Sequence, residues 1–85
     1  MSNNVEAKLI AVIAETYEKP VEEISLSTTL HDLDPDSISI IEMTILIEEK
    51  WPTIKISDDE MYEIIGKEAA SIKDILKLVE RKLAA

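Results

Sequence analysis

Ser37 is the residue around which chemistry can be built. It follows Asp32, Asp34, Pro35 and Asp36, and it opens the run Ser37-Ile38-Ser39-Ile40-Ile41-Glu42-Met43-Thr44-Ile45-Leu46-Ile47-Glu48-Glu49-Lys50-Trp51. Three chemistries fit clustered carboxylates beside a hydroxyl. The first is calcium binding, since Asp32, Asp34 and Asp36 have the opening spacing of an EF-hand loop. That loop needs Gly at its sixth position and a bidentate Glu at its twelfth. Ser37 and Met43 stand there instead, so no metal site is assigned, although weak cation binding by the clustered carboxylates stays open. The second is nucleophilic catalysis, which needs a base and an oxyanion hole. The only histidine is His31, read as a solvated loop side chain, and no glycine-rich elbow is present. The third is covalent attachment at Ser37, set at the N-terminus of a helix.

The same segment also has a purely structural explanation. Asp34 followed by Pro35 suits an N-cap with proline at the first helical position, and Ser39-Ile40-Ile41-Glu42 suits a capping box. Caps do not explain the apolar pattern. At about 100° per residue, Ile40, Met43, Ile47 and Trp51 fall near one line of the helix. Ile38, Ile41, Ile45, Glu42 and Glu49 gather around the opposite line. One stripe suffices for a core, so the second, rimmed by carboxylates, points to docking.

The rest of the chain reads as helices. The chain has 85 residues, enough for one domain with a modest core, and 46% hydrophobic residues, enough to fold. Four helices are expected, over roughly 4–18, 37–50, 58–65 and 71–83, in an all-α four-helix bundle with a long first loop and a short third helix. In the first, Val5, Leu9, Val12, Ile13 and Tyr17 recur at helical spacing, Ser2, Asn3 or Asn4 offers a cap, and Pro20 helps end it. Val21, Ile24, Leu26, Leu30 and Leu33 should pin the loop to the bundle. Pro52 ends the second helix and an extended connector follows. Ser57 or Asp58 caps the third, Gly66 stops it, and Ile72, Ile75, Leu76, Val79 and Leu83 mark the buried face of the last.

Charge narrows the partners. Residues 1–65 carry 15 carboxylates and 4 lysines, whereas residues 66–85 carry 3 carboxylates and 5 bases, for a net charge of −9. Such a surface repels nucleic acid and anionic membranes and attracts basic protein patches. No cysteine is present, no run approaches a membrane span, and no signal-peptide pattern opens the chain, so a soluble, cytoplasmic protein is expected; it is also expected to be a monomer.

Leu33-Asp34-Pro35-Asp36-Ser37-Ile38 resembles the Leu-Gly-Ala-Asp-Ser-Leu signature of acyl carrier proteins. Leu30-His31-Asp32-Leu33 is similar to the Phe-x-x-Asp-Leu approach. Ile41-Glu42-Met43 stands for Val-Glu-Leu, Leu46-Ile47-Glu48-Glu49-Lys50-Trp51 for Ala-Leu-Glu-Glu-Glu-Phe, Ile56-Ser57-Asp58-Asp59-Glu60 for Ile-Pro-Asp-Glu-Glu, and Ser71-Ile72-Lys73-Asp74 for Thr-Val-x-Asp. The likeness covers most of the chain. It implies a non-catalytic carrier bearing phosphopantetheine on Ser37, added from coenzyme A by a transferase that recognises Asp36. The arm would present acyl thioesters to fatty acid, polyketide or related enzymes, docked through Ile38, Ile41, Glu42, Ile45, Glu48 and Glu49. A peptidyl or aminoacyl carrier, or an unmodified acidic helical adaptor, is the alternative. The departures are Asp34-Pro35 for Gly-Ala, which removes a glycine that could supply positive φ, Ile38 for Leu, Ser39 for an acidic residue, Ile45 for Met, and a longer stretch from Ile64 to Ser71.

Overall fold

The computed structural model describes residues 2–84, with Ser2 and Asn3 described by backbone alone. Helix α1 spans Ser2–Tyr17, α2 Ser37–Lys50, α3 Asp58–Ile65 and α4 Ile72–Ala84, with short 3-10 turns at Val21–Glu23 and Leu30–Leu33 in the first loop. Helix α1 packs mainly on α2 and also on α4, while the short α3 touches both α2 and α4. Leu9, Val12 and Ile13 from α1, Ile40, Met43 and Ile47 from α2, Met61 from α3, and Ile72, Ile75 and Val79 from α4 form one core.

The ends of the helices show why the chain breaks where it does. Helix α1 closes in a Schellman arrangement, with Lys19 N–H donating to Ala14 O at 2.9 Å and Glu18 N–H to Glu15 O at 3.4 Å. Glu18 takes the left-handed conformation there, at φ 53°, so the helix stops before Pro20 is reached. Asn4 lies inside α1, so it is not the cap; the side chains of Ser2 and Asn3 lie outside the described residues. Helix α3 begins with a capping box in which Ser57 accepts from Glu60 N–H and Glu60 accepts from Ser57 N–H. Gly66 ends it in a right-handed conformation; a Cβ there would meet Tyr62 O at 3.0 Å.

The long first loop is tied down by backbone as well as by apolar side chains. Leu30 N–H donates to Ala70 O, Ile72 N–H to Thr28 O and Lys73 N–H to Leu26 O, around a Thr29–Ser71 antiparallel bridge. Ile24, Leu30 and Leu33 are buried, but Val21 is 51% exposed and pins nothing. The connector between α2 and α3 buries Ile54 and Ile56 around exposed Lys55.

Helices α3 and α4 are joined by a charged contact. Lys82 Nζ lies 2.8 Å from Glu60 Oε2, and with the Ser57 backbone N–H it draws the Glu60 carboxyl from its ordinary 4.5 down to about 2. A carboxyl whose pKa is depressed on folding stabilises the fold above its unfolded value and loses that contribution as pH falls through the folded one. The difference in Tm between wild type and Glu60→Gln should therefore be largest above about pH 4.5 and close as pH falls toward 2. Thermal melts across that window check it; a gap that widens on acidification contradicts it.

Candidate functional site

The approach to Ser37 is a turn built by three consecutive local decisions. The 3-10 turn Leu30–Leu33 buries Leu30 and Leu33 and so fixes its orientation against the core. Asp34 then reverses the chain in the left-handed region, at φ 54° and ψ 59°, with its N–H donating to His31 O. The positive φ expected to vanish with the missing glycine is thus retained, carried by an aspartate, one of the few residue types that tolerates it. Replacing Asp34 by Gly should relieve part of the roughly 1–2 kcal/mol steric cost while adding roughly 0.4–1 kcal/mol of unfolded-state entropy. A small net gain, up to about 1 kcal/mol, is expected in urea denaturation; a clear loss would assign the carboxylate a structural role.

Asp36, not Asp34, is the N-cap of α2, and the box partner is Ser39 rather than the Ser39–Glu42 pair. Pro35 makes Asp34 a good cap on paper, but Asp34 closes the preceding turn and so cannot begin the helix. Ser39 N–H donates to Asp36 Oδ1 at 2.7 Å, and Asp36 N–H donates to Ser39 Oγ at 3.0 Å. Ser39 Oγ also lies 3.1 Å from the Tyr17 hydroxyl, at the end of α1. Burial raises the Tyr17 pKa above its ordinary 10.0; the Ser39 hydrogen bond opposes this and the Asp36 charge adds to it. Tyr17 therefore stays a neutral phenol, bracing the cap from the neighbouring helix. From sequence Tyr17 reads only as a core residue, because a contact across 22 positions leaves no local signal.

Ser37 is the first residue of α2 and is exposed. The side-chain hydrogen bonds of this segment run between Asp36 and Ser39 and leave the Ser37 hydroxyl out. The N–H groups of Ser37 and Ile38 have no protein acceptor among the described residues, as expected for the first turn of a helix, where they favour an anionic oxygen. A phosphodiester on Ser37 Oγ fits this arrangement: the hydroxyl is open to solvent and free donors lie beside it. Asp36 opposes it electrostatically. His31 is exposed and forms no hydrogen bond to Ser37 among the described residues.

Downstream, the two stripes of α2 separate. Ile40, Met43 and Ile47 are buried, Trp51 borders them, and Thr44 joins them with its hydroxyl donating to Ile40 O. On the other side Ile38 is 68%, Ile41 48% and Ile45 50% exposed, with Glu42 and Glu49 exposed beside them. Glu48 differs from these two carboxylates. It is half-buried and its Oε2 accepts from Ile56 N–H at 3.0 Å, anchoring the connector. A shallow groove of about 250 Å³, lined by Glu15, Glu42, Ile45 and Leu46, flanks this face and brings α1 to its edge. Among the described residues, no group of three or more His, Asp or Glu side chains converges as a metal site.

Comparison with known proteins addresses what this exposed serine and apolar face serve. A family profile described as "Phosphopantetheine attachment site" matches residues 7–66. An acyl carrier protein of Rickettsia bellii is 34% identical over 76 residues, covering 88% of this chain and 85% of its own. One from Streptococcus pyogenes is 31% identical over 67 residues, 79% and 89% of the two chains. One from Buchnera aphidicola is 39% identical over 59 residues, 68% and 73%.

Proposed function

This chain belongs to the phosphopantetheine attachment-site family, and from that premise we propose that Ser37 accepts the arm and that the exposed face of α2 presents it to partner enzymes. The role is that of a non-catalytic acyl carrier whose prosthetic group is phosphopantetheine. The observation that carries the assignment of Ser37 is an exposed hydroxyl in the first turn of a helix that, among the described residues, makes no hydrogen bond and lies beside two N–H groups with no protein acceptor.

The chain's own residues account for positioning. Ser37 Oγ forms the new bond to phosphorus, gives up its proton, and adenosine bisphosphate leaves from coenzyme A. No imidazole or carboxylate of the described residues hydrogen-bonds that hydroxyl, so the base belongs to a phosphopantetheinyl transferase. Asp36 holds the helix start rigid through its cap while leaving one carboxylate oxygen for that enzyme. When attached, the arm supplies a thiol for thioester chemistry. Tethering places that thiol at high effective concentration before any enzyme docked on the carrier.

Docking is assigned to Ile38, Ile41 and Ile45 as the apolar centre and to Glu42 and Glu49 as the charged rim. Exposed apolar side chains ringed by charge mark interaction surfaces, and complementary charge raises association rates. Glu48 contributes less, since its carboxylate serves the Ile56 backbone. Fatty acid, polyketide or related biosynthetic enzymes with basic patches are the partners proposed, with the carrier acting as a cytoplasmic monomer.

Loading tests the function. Incubation with acetyl-coenzyme A and a broad-specificity transferase should add one acetyl-phosphopantetheine per chain, and neutral hydroxylamine should remove the acetyl group alone. An unchanged mass would favour an unmodified adaptor and overturn the proposal.

A further inference from the structure

The acidity of this chain is interrupted on α4. Lys73, Lys77 and Arg81 recur every fourth residue and all three are exposed. None has a carboxylate within 4 Å among the described residues, where the single ion pair is Lys82–Glu60. A cleft of about 310 Å³ between α3 and α4 is lined by Lys67, Lys77 and Arg81 together with Glu60, Glu63 and Asp74. Glu60 is neutralised by Lys82, while Asp74 accepts from the Ser71 N–H and keeps its charge. With Glu60 paired to Lys82, three cations line the cleft against two carboxylates, Glu63 and Asp74, a local excess of positive charge in a protein of net charge −9.

Folding explains only part of this stripe. Cations in the last turn of a helix complement its dipole, which accounts for Arg81 and Lys82. Lys73 sits in the first turn, at the unfavourable end, and like charges four residues apart repel. The stripe also spans about 12 Å from Lys73 to Arg81, eight residues at about 1.5 Å each, so one small anion cannot engage both ends.

We propose that the α4 stripe and its adjoining cleft form a second docking surface, whose occupant is an acidic segment of a partner protein. Several carboxylates along one peptide match the length and sign of the stripe. A lipid surface matches it less well, because the apolar side chains beside the cations, Leu78 and Ile64, are buried and half-buried rather than free to insert, and the rest of the body is repelled. A second copy brings the same −9 with it. The surface lies on a different helix from the exposed face of α2 and does not depend on where the arm is attached. An enzyme could hold α2 while an acidic segment holds α4.

Titrating the isotope-labelled protein, with and without its arm, with an octaglutamate peptide at low ionic strength tests this. Saturable amide shifts centred on residues 67–81, fading with added salt and equal in the two forms, are the expected result. Lys77→Gln/Arg81→Gln, checked for an unchanged spectral dispersion, should bind about tenfold more weakly, the order set by two exposed charge pairs. Absence of shifts, or shifts that the double substitution leaves intact, overturns the proposal. So does binding to phosphatidylglycerol vesicles in place of the peptide, or self-association in sedimentation without it.

Discussion

Met43→Ala and Ile47→Ala are expected each to lower the free energy of unfolding by about 2–5 kcal/mol, while Ile41→Ala and Ile45→Ala stay within about 1 kcal/mol. Met43 and Ile47 are fully enclosed, so truncation removes buried methyl and methylene groups and leaves a cavity that neighbouring helices fill only in part. Ile41 and Ile45 are about half exposed and give up less contact on truncation. Their loss should fall on partners instead: the transferase should lose kcat/KM for Ile41→Ala and Ile45→Ala at unchanged stability. Urea denaturation and transferase kinetics on the four variants separate the two effects. If Ile41→Ala and Ile45→Ala unfold as readily as the other two, the exposed stripe is ordinary core and the docking assignment fails.

The second large effect concerns Asp36, where a structural and a recognition role overlap. Asp36→Ala removes the cap and should cost about 1 kcal/mol, within a range of roughly 0.5–2, because Ser39 N–H loses its acceptor. Asp36→Asn keeps an oxygen in the same place, and Asn caps about as well as Asp, so stability should hold within about 0.5 kcal/mol. What Asn lacks is the charge. If the carboxylate is read by the transferase, both variants should be modified at least about tenfold more slowly, the loss of one charge-assisted contact. Normal modification of Asp36→Asn would reduce Asp36 to a cap.

Much of this molecule could be read from its residues, for reasons that are local. Helices α2 and α3 begin and end at the expected residues because Asp36, Ser57 and Pro52 act within a few positions of the boundaries they set. The division of α2 into a buried and an exposed stripe follows from 3.6-residue periodicity, and the exposed isoleucines were identified on that basis alone. Residue spacing puts the end of α1 one residue late, because the left-handed closure at Glu18 is taken by a residue type that does not advertise it. Residue types point to Asp34 as the cap of α2, and the structure puts Asp36 there instead. Asp34 and Asp36 are both competent caps, and only the 3-10 turn before them decides which is free to act.

What the residues did not disclose depends on distance. The Tyr17–Ser39 contact and the Glu48–Ile56 anchor join segments whose proximity is set by helix packing. Val21 looked like a core residue by type, but the turn that holds it faces solvent. The basic stripe was visible as a shift in composition after residue 65; its freedom from carboxylate partners became apparent only when α3 and α4 were set side by side.

The site of modification decides whether Ser37 carries the arm. After incubation with coenzyme A and transferase, the protein should gain one phosphopantetheine, and fragmentation mass spectrometry should place it on Ser37, the first residue of α2. Ser37→Ala should keep the wild-type circular dichroism and gain nothing. A phosphopantetheine increment on any other serine or threonine, or one that persists in folded Ser37→Ala, would contradict attachment at Ser37.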